Sequence, residues 1–296
     1  MRLLVTGKSG QVSTALQEAG AAQGIDVLTI GRPEFDLANP ELGWSLLTAT
    51  KPDAIVSAAA YTAVDKAESD VEMAERVNVT GVAVLANLAA ELGIPIIHLS
   101  TDYVFDGGKA GAYTETDQTN PLGVYGATKL RGEQAVAAAT DNHAILRTAW
   151  VYSPFGNNFL NTMLKLAMTR SALRVVADQC GNPTSAIDIG NAVIAVASNL
   201  IARPGDADLR GIFHGVGTGD ASWADFATEI FTHSAAFGGP SADVTKISTA
   251  EFPTAAKRPA NSRLDTTKLR SLHGVSMPAW QRSTHETIRR VIGGNQ

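Results

Sequence analysis

Five short apolar runs, at residues 3–6, 27–30, 54–58, 94–99 and 144–148, alternate with helix-length stretches at 11–22, 41–50, 71–92 and 125–139. Runs that stay apolar throughout, such as Ile55-Val56 and Ile96-Ile97, suit strands covered on both faces, and therefore a parallel sheet between two layers of helix. Strand–helix–strand crossovers are right-handed, so the simplest topology is a doubly wound, Rossmann-like α/β sheet. After about residue 153 the rhythm loosens and glycine and proline become denser, although a helix at 185–201 and a strand at 211–216 are still predicted. The expected organisation is a dinucleotide-binding domain over 1–152 and a smaller, interleaved substrate lobe over 153–296. The segments near 185–201 and 211–216 are expected to return to the first domain, and a last helix near 278–292 to dock on the surface.

Where a first strand runs straight into a helix, at residues 5–13, the chain reads Val-Thr-Gly-Lys-Ser-Gly-Gln-Val-Ser. Small residues there let backbone N–H groups and the positive helix end meet a pyrophosphate. Gly7 suits the tight turn and Gly10 the close approach, with Gln11 and Val12 alongside; Ser13 stands where the usual fingerprint has glycine or alanine. After the second strand, Gly31-Arg32 replaces the acidic residue that would hold a ribose 2′-hydroxyl. Arginine there can pair with a 2′-phosphate, which favours NADP over NAD, or it is a solvated surface residue. Asp36 and Leu37 are read as an adenine-side contact, with helix capping the alternative for Asp36.

Tyr125 and Lys129 are four residues apart and lie on one face of a predicted helix. A phenol, with an ordinary pKa of about 10, becomes a useful acid–base group when a nearby ammonium stabilises its phenolate. Ser100-Thr101-Asp102 follows an apolar strand, at the end of a sheet where ligands bind. Thr101 can therefore polarise a carbonyl, or simply cap a turn.

Composition narrows the partners. A net charge of −5 with 18% charged residues leaves no basic footprint for nucleic acid. Cys180 is the only cysteine, which forbids an intrachain disulfide and fits a reducing cytoplasm. The opening residues are broken too soon by Gly7 for a signal peptide, and no stretch approaches the roughly 18 apolar residues of a membrane span. No metal is expected, since the six histidines show no ligand spacing.

Residues 7–12, 58–68, 100–107 (STDYVFDG), 125–133 (YGATKLRGE), 147–152 (RTAWVY), 178–184 and 258–264 together resemble the dTDP-4-dehydrorhamnose reductases, which are extended short-chain dehydrogenase/reductases. The resemblance implies reduction of the 4-keto group of dTDP-4-dehydro-L-rhamnose by NADPH, with NADH as an alternative. It implies Tyr125 as proton donor, Lys129 as its tuner and ribose anchor, and Thr101 as an assisting hydroxyl. Ala60, Tyr61 and Thr62 would join Gly10, Gln11 and Val12 along the cofactor, and Thr101, Asp102 and Trp150 would contact the sugar. Trp150 also reads as core filling. Some members pair through glutamates on a metal, but here the first helix has no carboxylate before Glu18, so a homodimer surface stays open and a metal is not expected. Two other readings remain: a non-catalytic subunit, like the regulatory subunit of methionine adenosyltransferase that resembles this family, and a reductase of another nucleotide-linked 4-keto sugar.

Overall fold

Side chains alternate across the first strand, β1 (Arg2–Thr6), and both faces are buried: Leu3 and Val5 enter one core, Leu4 the other. The same pattern continues in β3 (Ala54–Ser57), β4 (Ile96–Thr101) and β5 (His143–Thr148), while the edge strand β2 (Asp26–Ile30) is half-buried. With the strand Gly211–His214 these form one parallel sheet, in the order β2, β1, β3, β4, β5, Gly211–His214. The doubly wound sheet expected from the sequence is therefore present. The computed structural model describes residues 1–40 and 44–293. Of the predicted second helix, Trp44–Ala49 is helical, while residues 41–43 lie outside the described part.

Helices cover both faces. Leu16 of α1 (Gln11–Gln23), Ile189 and Val193 of Ala186–Ala202 and Leu269 of Thr267–His273 pack on the Leu3 side. Val82 and Leu85 of Gly81–Leu92 and Val136 of Val124–Ala139 pack on the Leu4 side. A separate core joins Leu160 of Phe159–Ala167, Phe226 and Ile230 of Trp223–Ala236, and Trp280 and Ile288 of Trp280–Gly293. Beside it, Ala172–Val176 and Asp243–Ile247 pair in parallel, two strands that the sequence did not disclose. Among the described residues no helix is long and apolar enough to cross a membrane.

One departure from sequence expectation, and one feature of the expected topology, shape the site. The predicted helix at 71–92 is interrupted by a π turn at Arg76–Thr80, between the helices Val71–Glu75 and Gly81–Leu92. Such turns widen the helix by one residue and re-aim what they carry; here the buried residue is Asn78. The sheet order also reverses between β1 and β3, where chain connections diverge and a ligand crevice opens. Thr6 pins that crevice, because its hydroxyl oxygen accepts the N–H groups of Ala58 and Ala59, each at 3.0 Å.

Candidate active site

The crevice is floored by the glycine turn. Gly7 has φ +101°, and a Cβ there would press on Ser13 Oγ at 3.0 Å, so only glycine fits without strain. Gly10 caps α1 with extended backbone and no side-chain hydrogen bond, which leaves the first-turn amides to an incoming acceptor. Gln11 turns elsewhere: its Oε1 accepts from Ser153 Oγ at 2.7 Å and Asn158 Nδ2 at 3.0 Å, tying the turn to the second core. Val12 packs, half-buried, on the Leu3-side core.

On the β2 side of the turn, Arg32 is exposed. Lys8, the other cation of this turn, is paired with Glu34. Asp36 accepts the Ala38 N–H at 2.9 Å, a local turn bond, and Leu37 is buried in the Leu4-side core. After β3, Ala60, Tyr61 and Thr62 form a partly exposed wall. Asn78, which sequence reading passed over, clamps it: its Oδ1 accepts from Tyr61 N at 2.8 Å, and its Nδ2 donates to Tyr61 O at 3.2 Å and Thr128 Oγ1 at 3.1 Å. The available signal in the sequence was an asparagine set between two valines, Val77 and Val79, inside a predicted helix.

Thr101 ends β4 and Tyr125 lies in the first turn of the Val124–Ala139 helix. Gly126 brings them together, since a Cβ there would overlap the Tyr103 carbonyl oxygen and push the helix away. Tyr103 stands edge-on to Tyr125, ring centres 5.5 Å apart. Burial pushes the Tyr125 phenol up to about 12, with Thr101 pulling it down and the charge of Asp102 pushing it further up. The expected lowering by Lys129 is not realised in this arrangement. The Lys129 amine turns to β4 instead, donating to the Leu99 carbonyl at 2.6 Å with His98 Nε2 at 3.3 Å. Burial brings Lys129 down to about 8, while Glu133 pulls it up.

Asp102 is buried; its Oδ1 accepts from Thr101 Oγ1 at 3.0 Å and its Oδ2 has no partner among the described residues. Burial raises this carboxyl to about 6, against the pull of Ser262 and Thr101. Trp150 has φ +48° and is stacked on Trp223, ring centres 3.6 Å apart. One indole face is thus covered by protein, and Trp150 also packs against the core around Phe105 and Val216. Behind the site, Glu133 holds Arg147 through two bonds of 2.9 and 2.7 Å and accepts from Ser100 Oγ at 2.5 Å. Glu18 is committed to Arg290, and no cluster of three or more acidic, histidine or cysteine side chains suited to a metal occurs among the described residues.

The RmlD substrate binding domain family matches residues 1–292. A dTDP-4-dehydrorhamnose reductase of Sinorhizobium fredii is 53% identical over 292 residues, covering 99% of this chain and 98% of the relative. One from Escherichia coli is 41% identical, covering 95% of each chain. Among solved structures, the dTDP-4-dehydrorhamnose reductase of Clostridium acetobutylicum superposes with a TM-score of 0.89 at 37% identity, over 97% of this chain and 98% of the other. The enzyme from Bacillus anthracis, solved in complex with NADP, gives 0.88 at 33% identity, again over 97% and 98%.

Proposed function

The chain belongs to the RmlD substrate binding domain family, and from that premise we propose how its own residues carry out the reduction of dTDP-4-dehydro-L-rhamnose to dTDP-L-rhamnose. The protein is an oxidoreductase that uses NADPH on a dTDP-sugar. The residues at the crevice fit a dinucleotide: a glycine cradle that a Cβ at Gly7 would fill, and helix amides left without a side-chain cap. When bound there, NADPH supplies the hydride for carbon 4 of the sugar. Gly7, Gly10, Gln11 and Val12 would hold its phosphates, Ala60, Tyr61 and Thr62 its middle, and Lys129 its nicotinamide ribose.

The observation that carries this reading is the meeting of Thr101, Asp102 and Tyr125 at the end of β4, above the buried Lys129 amine. A keto oxygen gaining hydride at its carbon develops negative charge and needs a proton. Tyr125, protonated across the working range, donates it; Thr101 orients the phenol and the oxygen; Asp102 receives a sugar hydroxyl on its unpartnered Oδ2. Residues 1–152, with the returning segments, would carry the cofactor, and the rest of 153–296 the nucleotide sugar. A non-catalytic subunit would have no need of this set together. We place the activity in the cytoplasm, where the unpaired Cys180 stays reduced. Purified protein should oxidise NADPH only when a nucleotide 4-keto sugar is added, with dTDP-4-dehydro-L-rhamnose preferred over a panel of other bases and sugars. Tight NADPH binding without turnover of any panel member would sink the proposal.

Two further results are expected. Arg32→Ala should raise the KM for NADPH about tenfold while leaving that for NADH unchanged, since only the 2′-phosphate would use this charge. Equal changes for both cofactors would mean that Arg32 supports the turn instead. The KM for the sugar should fall as pH rises through about 6, because Asp102 accepts a hydroxyl best as the carboxylate. Asp102→Asn should abolish that dependence; a KM that still follows pH in this variant would point to another group.

A further inference from the structure

Beneath the Val124–Ala139 helix, three buried side chains from three elements stand in line. Ser57, the last residue of β3, places its Oγ 3.0 Å from His98 Nδ1 in the middle of β4, and His98 Nε2 lies 3.3 Å from Lys129 Nζ. All three are at most 2% exposed. An ammonium has only protons to give, so the ring nitrogen facing it is the unprotonated one. The proton of the neutral imidazole therefore sits on Nδ1 and is donated to the Ser57 hydroxyl oxygen. Burial, then the charges of Lys129 and His143, hold His98 well below its ordinary pKa, which keeps the ring neutral.

The charged neighbours do not duplicate this contact. Glu133, one turn along the helix, favours the charged lysine from a distance, but its carboxylate is occupied by Arg147 and Ser100. Arg147 of β5 is committed to Glu133, and His143 Nδ1 faces the Thr140 carbonyl at 2.6 Å. An apolar side chain at residue 98 would leave the lysine one carbonyl acceptor, that of Leu99, in a place where burial already works against its charge.

We propose that His98 is a positioning residue for the reduction: its Nε2 lone pair and the Leu99 carbonyl fix where the Lys129 amine stands and keep it charged, and Ser57, as acceptor of the Nδ1 proton, holds the ring in place for this. The inference rests on the reading of Lys129 as a catalytic residue. The test compares kcat and kcat/KM against pH for wild type, His98→Leu, His98→Gln, Ser57→Ala and Lys129→Met, each normalised to folded protein by circular dichroism.

His98→Leu should lose about tenfold in kcat, the usual worth of a hydrogen bond to a charged group. Its alkaline limb should move to lower pH, since the charged lysine has lost an acceptor. His98→Gln, whose amide oxygen reaches the position of Nε2, should recover most of both. Ser57→Ala, which removes the acceptor of the Nδ1 proton and loosens the ring, should shift the limb the same way by less. If the limb stays at the wild-type pH in both His98→Leu and Ser57→Ala, the proposal is overturned, whatever either does to stability. Should His98→Leu fail to fold, Ser57→Ala decides by the same criterion. If Lys129→Met turns over like wild type, the assignment of Lys129 has failed first, and His98 falls with it.

Discussion

Tyr125→Phe should lower turnover about 10²–10⁴-fold, the usual contribution of a positioned acid, while the affinity for NADPH changes little. The substitution removes one oxygen and keeps the ring, so the edge-on contact with Tyr103 survives. What is lost is the donor itself. With burial raising it to about 12, the phenol holds its proton at any working pH and releases it only to an oxygen more basic than itself, which the reacting carbonyl becomes as hydride arrives. The loss should therefore appear in kcat at saturating sugar, with the dissociation constant for NADPH from fluorescence titration as the control. Turnover within a few-fold of wild type would show that another group supplies the proton.

The largest stability effect should come from Glu133→Ala. Glu133 and Arg147 are 3% and 2% exposed, so removing the carboxylate strands a buried guanidinium. Breaking such a pair from one side costs about 3–5 kcal/mol, a large share of the roughly 5–15 kcal/mol that holds a typical domain together. Ser100 loses its acceptor in the same stroke. The Phe105 ring, 5.1 Å from the guanidinium carbon, is left against the stranded charge. Urea denaturation should show the midpoint falling accordingly, and Glu133→Leu combined with Arg147→Met should recover much of the loss, because a neutral pair has no charge to strand. A single variant as stable as wild type would mean that water reaches Arg147.

The central sheet was legible because a parallel strand buried on both faces leaves an apolar run, and four of its six strands do so in the first 148 residues, with the edge strand β2 half-buried beside them. The glycine turn and the Tyr125–Lys129 spacing are local patterns, read directly along the chain. The second core was not legible for an equally physical reason. Its pair Ala172–Val176 and Asp243–Ile247 buries only Leu173, Val175 and Ile247 among exposed Arg174, Thr245 and Lys246, and its partners lie about seventy residues apart. The other small sheets are built from two-residue strands, at Cys180, Ala221 and Asn261 and at Val151 and Thr184, too short to have a period.

Within the site, residue types were easier to read than bonds. Lys129 could be named from its spacing, yet its amine turns to Leu99 and His98, a choice made by tertiary packing. Glu133 and Arg147 lay inside the very runs that carried the family likeness without revealing that they meet. Asn78 was hidden by a π turn, which adds one residue to a helix and so shifts which side chains face inward, a slip that a regular helical period does not reveal.

The order in which the sheet is assembled bears on how the chain emerges from a ribosome. The apolar side of α1 is covered by Ala186–Ala202, and the open edge of β5 is closed by Gly211–His214. Until those segments have been synthesised, the nascent first half carries a bare helix face and an unpaired strand, both apt to stick to other chains. Elongation at about 5–20 residues per second leaves that surface uncovered for several seconds. A chaperone that shields apolar segments during synthesis would find its natural client in this half-made sheet, and release would follow once the strand at residue 214 has cleared the exit tunnel.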